Sequence, residues 1–89
     1  MRVAYIIPKH DEEKIYQVNY DPNKTIRDLK KRIKNEYGIP EYCQKLYINT
    51  IELLDDKQLS FYGQSEKIDL FNMHELRTIV RLKHKRKNF

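Results

Sequence analysis

Residues 25–40, TIRDLKKRIKNEYGIP, decide the fold, because only here do the start, the periodicity and the stop of one element all agree. Thr25 stands at an N-cap position, and Asp28, three residues on, completes a capping-box pattern at the positive end of the helix dipole. Ile26, Leu29, Ile33 and Tyr37 recur at i, i+3, i+7 and i+11 as one apolar stripe, with Arg27, Lys30, Lys31 and Lys34 assigned to the opposite, solvated side. Gly38 tolerates the left-handed conformation that closes a helix, and Pro40 cannot continue one. The spacing therefore predicts an amphipathic helix ending near Tyr37, about 18 Å long for roughly 12 residues. A helix this short does not hold in water alone, so the rest of the chain must cover its stripe.

Upstream, residues 2–7 (RVAYII) are rich in β-formers, and residues 14–20 (KIYQVNY) alternate, with Tyr16, Val18 and Tyr20 on one side. Residues 8–13 (PKHDEE) are polar and few enough to join these two strands as an antiparallel hairpin. Residues 21–24 (DPNK) form a turn leading into Thr25. Downstream, residues 44–49 read as a third strand and residues 52–54 as a very short fourth. Asp55, Asp56 and Lys57 mark a turn, and Leu59 and Tyr62 anchor a compact loop that Gly63 closes. The last third admits two readings. In one, residues 68–73 are the final strand and Met73, Leu76, Ile79 and Val80 begin a basic amphipathic helix. In the other, residues 70–73 are a loop anchor and residues 78–82 the final strand. The β-branched run Thr78, Ile79, Val80 favours the second.

Eighty-nine residues make one domain with no room for a second core. A 39% hydrophobic and 35% charged composition suits a small, very soluble globular module rather than a membrane protein or a disordered chain. No apolar run approaches the ~18 residues of a membrane span, and the first residues lack the apolar core of a signal peptide. The single cysteine, Cys43, allows no internal disulfide. A cytoplasmic or nuclear location is expected. All 13 acidic residues lie at or before Glu75, while Arg77, Arg81, Lys83, Lys85, Arg86 and Lys87 follow it unopposed. Taking these six charges from the net +5 leaves the remainder at −1, so the basicity belongs to the end of the chain.

The order hairpin, capped helix, short strands, loop and final strand resembles ubiquitin. Thr25, Ile26, Leu29, Lys30, Ile33, Gly38, Ile39, Pro40, Gln44, Leu46, Leu53, Asp55, Leu59, Ser60 and Tyr62 stand at matching spacing over residues 1 to about 62. The exit Gly38, Ile39, Pro40 followed by Gln44 and Leu46 is the most specific part. After Gly63 the match weakens, through either a shortened loop or an insertion of roughly nine residues. The resemblance implies an α+β, ubiquitin-like β-grasp fold, a mixed four- to five-stranded sheet packed on one central helix. We expect the domain over residues 1–83 and a basic tail over residues 84–89. Conjugated family members end in Gly-Gly. This chain has only Gly38 and Gly63 and closes on Lys87, Asn88 and Phe89, so the expectation is a module that is not conjugated.

Binding modules of this family use an apolar patch on the sheet. By position, the resemblance puts Tyr47 at the centre of that patch with Lys45 beside it, and Phe71 joins them in the early-strand reading. Asp11 stands where the patch usually has a leucine. Tyr47 is thus either an interface anchor or a residue packed beside Tyr5 on the sheet. The implied role is a non-catalytic protein-interaction module, a monomer when isolated, whose partners are of the ubiquitin-receptor or complex-subunit kind. The run Leu53, Leu54, Asp55, Asp56 with Leu46 and Tyr47 is similar to elongin B and implies, as an alternative, an adaptor subunit.

Catalytic chemistry has little footing. His10, His74, His84 and Cys43 lack ligand spacing, so no metal or other cofactor is expected, and Cys43 reads as a partly buried structural thiol. Asp55 and Asp56 read as turn formers, and two glycines cannot build a phosphate loop. The basic end, Arg77, Arg81, Lys83, Lys85, Arg86 and Lys87 with Phe89 as a stacking group, supports RNA contact as a further alternative. It resembles the tail of the ubiquitin-like domain of a large splicing-factor subunit. It also fits a solvated terminus or a localisation signal. A membrane role ranks last, because it needs the helical reading of the tail and a second anchor.

Overall fold

Alternation along residues 2–8 produces the first element. In β1 (Arg2–Pro8) the side chains of Ala4, Ile6 and Pro8 turn inward, and those of Val3, Tyr5 and Ile7 turn outward. The computed structural model describes residues 2–63 and 66–73. β2 (Tyr16–Tyr20) runs antiparallel to β1 and buries Val18 and Tyr20, as its two-residue period requires. It begins two residues later than the sequence reading, which leaves Ile15 exposed.

α1 (Ile26–Tyr37) follows, with Ile26, Leu29 and Ile33 buried. Its start differs from the capping box. Thr25 sits at the N-cap, but its hydroxyl donates to Asp28 Oδ2 at 3.3 Å and caps no backbone N–H. The first free donors are met by carbonyl oxygens of the turn at 55–57. Ile26 N–H reaches Lys57 O at 2.8 Å and Arg27 N–H reaches Asp55 O at 3.1 Å. Distant backbone has taken the acceptor role that a side chain was expected to play. The stop is as read: Gly38 lies in the left-handed region, φ 75°, and its N–H donates to Lys34 O at 2.8 Å.

Lys30 also departs from its expected place on the solvated side. It stands one turn beyond Ile26, at i+4, inside the apolar stripe, and it is buried. Its stem lies in the core while Nζ reaches Asp55 Oδ1 at 2.6 Å.

A 3₁₀ turn at Glu41–Cys43 leads to β3 (Gln44–Ile48), which pairs antiparallel with the two-residue β4 (Ile51–Glu52) through a turn with Asn49 at φ 57°. Leu53 and Leu59 close one end of the core, the latter from a second 3₁₀ turn at Leu59–Tyr62. Gln44 Nε2, buried, donates to Lys30 O and Ile39 O, each at 2.9 Å, and ties the helix exit to the sheet.

β5 (Lys67–Asn72) decides between the readings of the last third. It lies at the centre of the sheet, parallel to β1 and antiparallel to β3, giving the order β2-β1-β5-β3-β4 among the described residues. Residues 70–72 are therefore strand rather than loop anchor, and the connection across 63–66 is short. The preferred strand at 78–82 lies outside the described residues. Ile68 and Leu70 point into the core while Asp69 and Phe71 point out, a central-strand pattern that the polar Asp69 and Asn72 mask in sequence. The sheet wraps α1, as the β-grasp expectation requires.

Candidate functional site

The face of the sheet turned away from α1 is built by the outward positions of three strands. Register places Lys45 opposite Phe71, Tyr47 opposite Asp69, and Ile7 opposite Asp69 on the other side. Lys45, Tyr47 and Phe71 are thereby brought together, as expected in the early-strand reading. Tyr47 and Phe71 are diagonal neighbours on β3 and β5, with ring centroids 5.3 Å apart at 80°, an edge-to-face pair. Both are half-buried, and Lys45 is exposed. The ring partner of Tyr47 is thus Phe71, whichever role the pair serves.

These residues line an open groove of about 560 Å³, completed by Lys9, Asn49, Thr50 and Asp69. Lys9 and Asp69 were missed from sequence. Their membership depends on β5 pairing with β1, which the late-strand reading removes. The Lys9 ammonium is 2.6 Å from Glu12 Oε1 and 3.9 Å from Asp69 Oδ1. The hydrogen bond to Glu12 first, then the charge of Asp69, hold its pKa above the ordinary lysine value. The rim of the groove is therefore a fixed set of charges around an aromatic centre. Asp11 pairs instead with Lys14 at 3.7 Å, within the hairpin loop.

Other candidates fall elsewhere. Cys43 is buried on its 3₁₀ turn beside a second cleft of about 590 Å³, which His10, Tyr16, Tyr37 and Tyr42 also line. Tyr16 and Tyr37 stack at 4.3 Å there, and Tyr37 Oη donates to Gln17 O at 2.7 Å. Asp55 is engaged by Lys30. Among the described residues no three His, Cys, Asp or Glu side chains converge on a metal-sized site, and no helix is long and apolar enough to cross a membrane. Arg77, Arg81, Lys83, Lys85, Arg86 and Lys87 lie outside the described residues, as does the expected boundary at residue 83.

A five-stranded mixed sheet holding one helix, with an aromatic centre on its free face, defines a ubiquitin-like β-grasp domain. A sequence model of the ubiquitin family matches residues 9–77, most of the chain, and the protein belongs to that family. The match is to the family at large and favours neither the elongin-B-like nor the splicing-subunit-like resemblance. No curated protein matches the chain.

Proposed function

We propose that this chain is a non-catalytic ubiquitin-like interaction module that takes protein partners on the free face of its sheet, with Lys45, Tyr47 and Phe71 as the contact residues. The observation that carries this reading is the Tyr47–Phe71 pair, two large rings only half-covered by the fold and seated in an open groove. Such rings offer large contact area for little lost side-chain entropy, the property of interface anchors. A partner would set an apolar side chain against the rings and a carboxylate toward Lys45. The test is a ¹⁵N–¹H NMR titration with a helical peptide from a ubiquitin receptor. Shifts should centre on residues 45–47 and 69–71, and Tyr47→Ala should weaken binding by about tenfold or more while the spectrum stays folded. Unchanged affinity in that variant would remove the site.

The unopposed charge of Arg77, Arg81, Lys83, Lys85, Arg86 and Lys87 supports a second reading, RNA contact through the basic end of the chain. Neutralising Lys85, Arg86 and Lys87 should then lower RNA affinity and its salt dependence, with Tyr47→Ala without effect.

A further inference from the structure

We infer that the outer face of α1 is a separate interaction surface, a ridge of three cations that lies along the phosphate backbone of duplex DNA. Arg27, Lys31 and Lys34 are all exposed. At 100° per residue they fall within about 60° of one another and span about 10 Å of the helix axis.

Helix physics favours a cation at Lys34, in the last turn, but disfavours the rest of this arrangement. Arg27 is the second residue of α1, where the positive end of the macrodipole repels a cation. Arg27 and Lys31 are i,i+4 neighbours and Lys31 and Lys34 are i,i+3 neighbours, so like charges face each other along the ridge. Among the described residues none of the three forms an ion pair. Of the nearby carboxylates, Asp28 accepts from the Thr25 hydroxyl, Asp55 is paired with Lys30, and Asp56 makes no ion pair with the ridge. The fold thus holds three mutually repelling charges in line without neutralising them, and an external polyanion supplies what is missing.

The shape of the ridge selects among polyanions. Among the described residues no aromatic ring of α1 is free to join it, since Tyr37, one turn beyond Lys34, is stacked on Tyr16 and donates its hydroxyl to Gln17 O, so the ridge offers no platform for unpaired bases. A duplex presents rigid charge at about one per 1.7 Å of axis, matching a rigid ridge better than a flexible acidic peptide does. The ridge can follow the phosphates that border the B-form major groove, which is wide enough to admit a helix, whereas the A-form major groove is too narrow for one to approach its phosphates this way. Because α1 and the free sheet face lie on opposite sides of the domain, the two surfaces are independent.

The test uses the full chain and a fluorescein-labelled DNA duplex of arbitrary sequence, with anisotropy read between about 50 and about 200 mM salt. Replacing Arg27, Lys31 and Lys34 with Gln should weaken binding and reduce the slope of log affinity against log salt by about 2–3, near 0.9 per lost phosphate contact. Replacing Lys85, Arg86 and Lys87 with Gln should leave that ridge-dependent part of the slope in place. If the triple ridge variant fails to fold by circular dichroism, Lys31→Gln alone should reduce the slope by about 1. An unchanged slope in the ridge variants overturns the inference. So does the absence of duplex binding at low salt, or equal or tighter binding of duplex RNA, a single strand or polyglutamate.

Discussion

On the face of the sheet that meets α1, Ala4, Ile6, Val18, Leu46, Ile68 and Leu70 are wholly removed from solvent, whereas on the opposite face Tyr5, Ile7, Tyr47 and Phe71 are only half-covered. The same strands carry both sets, one residue apart, so a slip of one position would exchange them. What separates the faces is the helix. Ile26, Leu29 and Ile33 close the first and nothing within the described fold closes the second. The inner set is needed to fold. The outer set is large apolar surface that the described fold covers only in part, and this is what supports the proposal of a contact face there.

The comparison breaks most visibly in the core. Leu46→Ala or Ile68→Ala should destabilise the domain by about 2–5 kcal/mol, because each empties a site that the surrounding chains cannot collapse to fill. Chemical denaturation of the two variants measures this directly. An outer-face truncation of similar size that cost as much would show the two faces to be energetically alike. The next effect belongs to the polar tie beneath the inner face. Gln44→Ala removes the donor to Ile39 O and the second donor to Lys30 O, which keeps its bond within the helix, and should cost about 1–3 kcal/mol, more than its lost apolar contact explains. Lys30→Met should cost less, about 1 kcal/mol or under, since it keeps the buried stem and loses an ion pair whose Asp55 half is 47% exposed.

Much of this was legible in sequence, and the reasons differ by element. The helix was legible because its stripe is a local pattern with marked ends, and Gly38 performs the expected stop at φ 75°. Its N-terminus was not. The atoms that satisfy Ile26 and Arg27 belong to Lys57 and Asp55, some thirty residues away, and no local motif records a backbone acceptor. Lys30 was misplaced for a related reason, since charge was read as exposure although i+4 from Ile26 lies inside the stripe. β5 was ambiguous because a central strand is recognised by its neighbours, and Asp69 and Asn72 dilute its own propensity. Lys45, Tyr47 and Phe71 were identified only through family position. Lys9 and Asp69 needed the register of β5 between β1 and β3, which sequence alone left open.

On the outer face the expected energies are smaller and of a different kind. Tyr47→Ala should cost the isolated domain about 0.5–1.5 kcal/mol, the worth of one edge-to-face ring pair with its modest burial. Its effect on partner binding should exceed its effect on folding, a ratio opposite to that of Leu46→Ala. Measuring both quantities for both variants sharpens the contrast between the faces.

The smallest effect separates the faces by pH. Lys9 carries a folded-state pKa above its ordinary value of 10.5, through its hydrogen bond to Glu12 and then the charge of Asp69. A raised lysine pKa stabilises the folded state below the unfolded value, and the contribution disappears as pH rises through the folded value. Lys9→Gln should therefore melt slightly below the parent chain at pH 7, and the two melting temperatures should converge above 10.5. Other groups are shared by both proteins, so the difference between them isolates Lys9. Leu46→Ala, which removes only apolar contact, should keep a constant deficit across the same range. A gap between Lys9→Gln and its parent that persisted at high pH would mean that the Lys9 stem, rather than its charge among Glu12 and Asp69, supports the rim of the groove.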